Sequence, residues 1–210
     1  MRTSILAAVA GVVLALMSGL SSAQPAPPAA KTADGLEIAT FASGCFWCTE
    51  SDFDKVPGVV ETISGFIGGK TPNPTYRDVS AGGTGHAEAV QLKFDPAKVS
   101  YRQLLDVYWH NVDPLDTGGQ FCDRGDQYRP AIFYHSDEQR RLAEESKAAL
   151  DKSGRFNKPI VVEITAASTF TPAEEYHQDY HNKNPIRYQI YRHGCGRDAR
   201  LEAYWGKATQ

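Results

Sequence analysis

The chain has 210 residues, of which 41% are hydrophobic, 22% charged and 10% aromatic, with a formal net charge of −3. These proportions exclude a mostly disordered chain, a collagen-like repeat and a polytopic membrane protein, and the weak negative charge offers no global basic field to nucleic acid or acidic lipid. The length suits one domain with at most a short appendage. At the N-terminus, Arg2 precedes an apolar run from about Ile5 to Leu16, and Ser21, Ser22 and Ala23 supply small residues at the cleavage positions. Residues 1–23 therefore read as a secretory signal peptide. The run is short for a membrane span, and an uncleaved anchor is the competing reading. Residues 24–35, rich in Ala and Pro, read as a flexible lead-in, and the folded domain is expected over residues 36–206.

Leu36 to Ala42 predicts a strand ending at Ser43-Gly44. Cys45 to Lys55 follows with apolar residues at helical spacing and no breaker before Pro57-Gly58, which places Cys45 at a strand-to-helix turn. Val59 to Phe66 predicts a second strand, followed by the loop GGKTPNPTYRD. His86 to Phe94 alternates with period two: His86, Glu88, Val90, Leu92 and Phe94 face one way and Ala87, Ala89, Gln91 and Lys93 the other. Ser100 can cap a helix carrying Leu104, Leu105, Tyr108 and Trp109. After the loop DPLDTGGQFCDRGDQ, a strand is predicted over Tyr128 to Tyr134. A helix follows over Asp137 to Lys152, capped by Ser136 and stopped by Gly154. Pro159 to Ile164 is strand-like, and Thr171-Pro172-Ala173-Glu174 forms a capping-box sequence opening a helix to about His181. The tail from Asn184 reads as loop-rich, with a short last helix near Ala199 to Trp205. The alternation is irregular and shows no repeat, as expected of a single α/β domain.

The four cysteines, Cys45, Cys48, Cys122 and Cys195, all follow the export signal. Two structural disulfides would be the usual use of such a set in an oxidising compartment. The domain is large enough to build a core without them, however, and Cys45-x-x-Cys48 is also a redox or metal spacing. A zinc ribbon needs a second close pair, which Cys122 and Cys195 do not form, so no metal is expected.

A thiol at a helix N-terminus feels the positive end of the helix dipole, which favours the thiolate nucleophile and singles out Cys45. Phe46 and Trp47 beside it would make an apolar wall; the competing reading is a buried structural cysteine among core aromatics. Glu88 places a carboxylate on the apolar face of its strand, where desolvation would keep it protonated near neutrality and able to act as a general acid. A solvated strand end or a salt bridge is the alternative. Tyr76 and Tyr128 could each donate a hydrogen bond to a substrate oxygen, or simply pack. His177 and His181 have the i, i+4 spacing of a metal pair, but without an HExxH arrangement they read as packed or capping histidines.

Together, GCFWCTE (44–50), FDKVPGV (53–59), GFIGG (65–69), TPNPTYRDV (71–79), GHAEAV (85–90), DRGDQYRPAIFY (123–134) and EEYHQDYHNKNP (174–185) resemble the A-type peptide methionine sulfoxide reductases, in order, from about residue 36 to 206. The resemblance implies a mixed α/β (α+β) fold: a single-domain two-layer sandwich with a mixed sheet, a ferredoxin-like core and a loop-rich C-terminal tail. It implies reduction of methionine-S-sulfoxide, free or in proteins, and so repair of oxidised proteins under oxidative stress. Cys45 matches the family nucleophile that becomes a sulfenic acid, and Glu88 the acid that protonates the sulfoxide oxygen. Tyr76 and Tyr128 match the phenols on that oxygen, Asp123 a supporting carboxylate, and Phe46 and Trp47 the S-methyl pocket. Many relatives have Gly where this chain has Cys48 and resolve the sulfenic acid through a cysteine in a glycine-rich tail. Gly194-Cys195-Gly196 has that character, so Cys195 is the expected resolving thiol and Cys48 the alternative; Cys122 is expected to be a packed thiol.

The implied chemistry uses no metal and no organic cofactor, only an external, thioredoxin-like dithiol reductant. The expected partners are oxidised proteins, free methionine-S-sulfoxide and that thioredoxin-like reductase partner, with no nucleic acid and no stable membrane insertion after signal cleavage. The expected localisation is periplasmic or secreted. Two other readings compete. A thioredoxin-like C-x-x-C thiol-disulfide oxidoreductase would give Glu88, Tyr76 and Tyr128 no role, and a secreted binding domain would tie its four cysteines into two disulfides.

Overall fold

A computed structural model of the protein describes residue 32 and residues 34–207. The expected signal peptide (1–23) lies outside the described residues, and the lead-in (24–35) is described only at residues 32, 34 and 35. In chain order the structure forms β1 (Glu37–Ala42), α1 (Phe46–Phe53), β2 (Val59–Ile67), α2 (Tyr76–Ser80) and β3 (Ala87–Phe94). It continues with α3 (Tyr101–His110), the short strands β4 (Gly119–Gln120) and β5 (Asp123–Arg124), β6 (Ala131–Tyr134) and α4 (Asp137–Lys152). The chain ends with β7 (Glu163–Ala166), β8 (Thr171–Pro172), α5 (Tyr180–Lys183), α6 (Pro185–Gly194) and α7 (Arg197–Trp205).

Six strands make one mixed sheet in the order β7-β6-β1-β3-β2-β8, in which only β6 and β7 run parallel. The alternation read in the third strand holds: Val90, Leu92 and Phe94 enter the main core, while Ala87 and Ala89 join Ala42, Ile67, Ala131 and Phe133 in a smaller cluster on the opposite face. The main core gathers α1, α3 and α4 against one face of the sheet, with Phe41 stacked on Phe53 at 5.0 Å and on Tyr108 at 5.3 Å. Each of these fully buried rings contributes roughly 1.5–3 kcal/mol of apolar transfer free energy. Trp109 Nε1 donates to Ser146 Oγ at 3.0 Å and ties α3 to α4.

Four expectations are corrected. The helix expected from Thr171 to His181 does not form, because β8 adds to the sheet edge beside β2 and the Ala173 N–H donates to the Ser64 carbonyl. The Glu174 carboxylate, which a capping box would have used, instead accepts from the Tyr76 N–H at 3.1 Å. The strand expected over 128–134 starts only at Ala131: residues 126–128 make a 3-10 turn, and Pro130 has no N–H for the ladder. The strand expected at Pro159–Ile164 shifts to Glu163–Ala166, in register with β6. Finally, the tail expected to be loop-rich from Asn184 is largely helical. Gly196, at φ +69°, makes the turn between α6 and α7 rather than ending regular structure. Ile186 and Ile190 of α6 are exposed, so the apolar periodicity that announces a helix is missing there; buried Tyr188 and the Arg192–Asp52 ion pair hold it instead. Among the described residues no helix is long and apolar enough to cross a membrane.

Candidate active site

Antiparallel register gathers the site at one end of the sheet. Phe41 near the end of β1 pairs with Val90, Phe66 near the end of β2 pairs with Glu88, and Ala42 pairs with Ala131 at the start of β6. The C-terminal ends of β1 and β2 thus meet the beginnings of β3 and β6. From β1 the chain turns through Ser43 and Gly44 to Cys45, which caps the N-terminus of α1. Gly44 has φ +88°, and a Cβ there would approach Gln120 Cβ to 2.5 Å, so both conformation and space require glycine.

Glu88 Oε2 accepts from the Phe46 N–H at 3.1 Å, which sets the carboxyl against the first turn of α1. A small cavity of about 70 Å³ opens there, lined by Cys45, Phe46, Trp47, Tyr76, Glu88, Asp123, Tyr128 and Tyr191. The structure therefore brings seven of the sequence-predicted site residues to one place. Tyr191 is the eighth lining residue and carried no sequence signal. The larger surface depressions contain none of the cysteines.

Glu88 is only 2% exposed, and burial pushes its carboxyl up to about 8, opposed by the Phe46 N–H. Neither the solvated strand end nor the salt bridge describes it. Burial likewise pushes Tyr76 up to about 12 and Tyr128 higher still, so both phenols remain neutral donors. Asp123 is raised by burial, and its Oδ2 accepts from the Tyr191 hydroxyl at 2.5 Å.

The thiols correct one expectation. Burial pushes the Cys45 thiol well up, and its neighbours Cys48 and Glu88 add to the shift, so the helix dipole does not leave Cys45 ionised in the resting site. The hydrogen bond from Cys45 lowers Cys48 to about 7, with help from Arg197 and Arg192 against its burial. The two thiols share a hydrogen bond and so titrate as a pair, with the arginines making it easier for that pair to lose a proton. Arg197 is 1% exposed and donates to the Ser43 carbonyl at 3.0 Å, Ser43 Oγ at 3.1 Å and the Asn111 carbonyl at 2.6 Å. It both braces the turn before Cys45 and places a cation near Cys48. Sequence reasoning missed it because its partners lie far away along the chain.

The aromatic wall is built by packing around Trp47, which stacks on Tyr180 at 3.7 Å and donates Nε1–H to His177 Nδ1 at 3.1 Å. His177 also lies 4.2 Å from the Tyr76 ring, whereas His181 faces Asp54 at 3.3 Å. The two histidines serve different partners and make no shared metal pair.

Cys195 is joined to Cys122 in a disulfide, with a Cα–Cα distance of 4.9 Å. Cys122 is exposed, which corrects the expectation of a packed thiol: its loop turns it outward, and Cys195 at the end of α6 meets it there. Cys45 and Cys48 are free, so the four cysteines do not form the two bridges of a stapled binding domain.

A sequence profile of the family described as Peptide methionine sulfoxide reductase matches residues 37–209. The Listeria monocytogenes (serotype 4b) protein named Peptide methionine sulfoxide reductase MsrA is 57% identical over 174 residues, covering 83% of this chain and 98% of the relative. The Bacillus licheniformis protein of the same name is 55% identical over 175 residues, covering 83% and 97%. Among solved structures, methionine sulfoxide reductase A of Corynebacterium diphtheriae is 34% identical with a TM-score of 0.66, covering 78% of this chain and 84% of that one. Reduced Mxr1 from Saccharomyces cerevisiae is 32% identical with a TM-score of 0.67, covering 75% and 90%.

Proposed function

The chain belongs to the peptide methionine sulfoxide reductase family, and on that premise we propose that it reduces methionine-S-sulfoxide, free or within oxidised proteins, to methionine. The observation that carries the assignment of roles is Glu88: a fully buried carboxyl, protonated near neutrality, shares a cavity of about 70 Å³ with the thiol of Cys45. That volume is several-fold below the few hundred Å³ that whole small-molecule ligands occupy. It suits the sulfinyl-methyl head of the substrate, with the rest of a peptide remaining outside.

The S-methyl group lies against Phe46 and Trp47, and the sulfoxide oxygen faces Glu88, Tyr76 and Tyr128. Asp123 supports the site through its hydrogen bond from Tyr191. A sulfoxide oxygen leaves sulfur poorly until it is protonated; Glu88 supplies that proton, and the phenols stabilise the developing hydroxyl. Cys45 attacks the sulfur as its proton passes to Cys48, which is hydrogen-bonded to it and lowered to about 7. The protonated oxygen then moves as hydroxyl from the methionine sulfur to Cys45 Sγ while the bond between the two sulfurs breaks, so methionine departs with the electron pair and Cys45 holds the oxygen as a sulfenic acid. Cys195 is the proposed resolving thiol, with Cys48 the second candidate; attack on the sulfenic sulfur forms a disulfide and releases water. A thioredoxin-like external dithiol returns the enzyme to its reduced form. All electrons come from thiols, so the scheme needs neither metal nor organic cofactor. Residues 1–23 carry a signal-peptide pattern, which supports a periplasmic or secreted repair enzyme and an electron donor available in that compartment.

The test is single-turnover release of methionine from the S and R epimers by the reduced protein. Wild type is expected to release methionine from the S epimer only, and Cys45→Ser to release none. Glu88→Gln is expected to slow release by roughly 10²-fold or more, with alkylation of the thiols unchanged, and wild-type kcat is expected to fall as pH rises above about 8. A Glu88→Gln variant as fast as wild type would remove Glu88 as the acid, and release of no methionine by the reduced wild type would return the protein to simple thiol exchange.

A further inference from the structure

His177 touches three walls of the cavity without lining it. The residue is 2% exposed, and its ring centroid lies 4.2 Å from that of Tyr76, 5.0 Å from Phe46 and 5.7 Å from Trp47. Its backbone is held independently of the pocket. The His177 N–H donates to the Glu174 carbonyl at 2.8 Å and closes a 3-10 turn over 175–177. The next residue clamps that turn to the sheet: Gln178 Oε1 accepts from the Ser64 N–H at 2.8 Å, and Nε2 donates to the Ser64 and Ala173 carbonyls at 2.9 Å each. The imidazole is thus a post anchored on the β2–β8 edge and set against the aromatic wall.

The bond it makes to that wall is directional. An indole N–H can only donate, so His177 Nδ1 accepts from Trp47 Nε1 at 3.1 Å and the imidazole carries its own proton on Nε2. Burial lowers His177, which keeps the ring neutral and the Nδ1 lone pair available at neutral pH. Nε2 has no hydrogen-bond partner among the described residues, so the bond from Trp47 is the ring's one polar anchor. Tyr180, stacked on the indole at 3.7 Å with the planes 7° apart, fixes the plane of Trp47 but not its rotation within that plane. The hydrogen bond stops that rotation. In a cavity of about 70 Å³, any swing of the indole changes the room left for the alkyl group on the substrate sulfur.

We propose that His177 sets the substrate's alkyl specificity: by holding Trp47 it sizes the pocket for a methyl group on the sulfoxide sulfur and excludes longer groups. It is a positioning residue that acts through Trp47, and the proposal rests on the reductase reading above. One methylene in an apolar pocket is worth roughly 10–200-fold in discrimination. That margin needs a wall that does not yield, because an indole free to turn makes room for the added carbon. Without the acceptor, the methyl substrate loses a fixed contact while the ethyl substrate gains space.

The full-length protein is assayed at steady state, with dithiothreitol as reductant, on the S epimers of methionine sulfoxide and of ethionine sulfoxide, whose sulfur carries an ethyl group. Wild type is expected to favour the methyl substrate by roughly tenfold or more in kcat/KM. His177→Phe keeps a ring against Tyr76 and Phe46 but offers the indole no acceptor. It is expected to lose most of that preference, through a KM for methionine sulfoxide raised roughly tenfold, with kcat changed far less. His177→Asn, whose Oδ1 stands as far along the side chain as Nδ1, is expected to keep the preference to within about threefold of wild type. His177→Leu, smaller and also without an acceptor, gives the same readout where the larger ring prevents folding. Equal losses on both substrates in the Phe or Leu variant overturn the proposal, as does a His177→Asn no more selective than they are. A wild type that reduces both sulfoxides equally well overturns it too and leaves the reductase reading standing. A wild type that reduces neither overturns the reductase reading itself, and the specificity role with it.

Discussion

Tyr76 and Tyr128 enter the cavity from opposite sides of the chain's middle, one from the start of α2 and the other from the turn before β6. Burial holds both phenols protonated well beyond neutral pH, so each can donate and neither competes with Glu88 as an acid. Tyr76→Phe or Tyr128→Phe should each lower kcat roughly tenfold, because the other phenol still reaches the oxygen, and the double variant should lose roughly 10³-fold. Steady-state kinetics beside thermal melts checks this; two single variants with wild-type kcat would remove the phenols from the reaction. Glu88 was legible because a strand's period-two alternation exposes a carboxylate on the wrong face. Tyr191 was not, since a tyrosine in a polar helix sends no comparable signal.

The strand-to-helix turn that presents Cys45 depends on α7, more than 150 residues later in the chain: Arg197 satisfies Ser43 and Asn111, and Asp52 lies 3.8 Å from its guanidinium. Arg197→Met would leave the Ser43 and Asn111 carbonyls short of a donor and the Asp52 carboxylate with less compensation, at a cost of roughly 3–5 kcal/mol, measured by urea unfolding. Removing this cation should also raise Cys48 above about 7, seen as an alkaline shift in the pH dependence of iodoacetamide alkylation. Unchanged titration would mean that Arg197 acts on the turn alone. At this scale the reading of the chain succeeded where one face is apolar, as in α4 and β3. It failed at Thr171–His181, where an edge-strand pairing and the Glu174–Tyr76 contact outweighed a good local capping sequence. Long-range partners decide such segments, and propensity cannot see them.

Across the whole molecule, buried acids link folding to pH. Burial raises Glu88 to about 8 and Glu50 to about 7 from ordinary values near 4.5. Between these limits the folded chain keeps on these two carboxyls protons that the unfolded chain has released, so their contribution to stability falls as pH rises from about 4.5 to about 8. The Glu88→Gln/Glu50→Gln double variant should show a flatter Tm–pH curve than wild type over that window. Parallel curves from differential scanning would show that these two carboxyls carry no such linkage.

The family, the mixed α/β class and the candidates for nucleophile, acid, phenols and aromatic wall were legible along the chain, because each rests on a local block or on a strand's alternation. Tertiary structure decided the rest. Burial pushes the Cys45 thiol up, while the hydrogen bond from Cys45 and two arginines distant in sequence lower Cys48. Cys122 pairs with Cys195 across 73 residues because the β4–β5 loop and the end of α6 converge at Asp123. Charge and disulfide partnership depend on which groups meet in space, and chain order does not encode that distance.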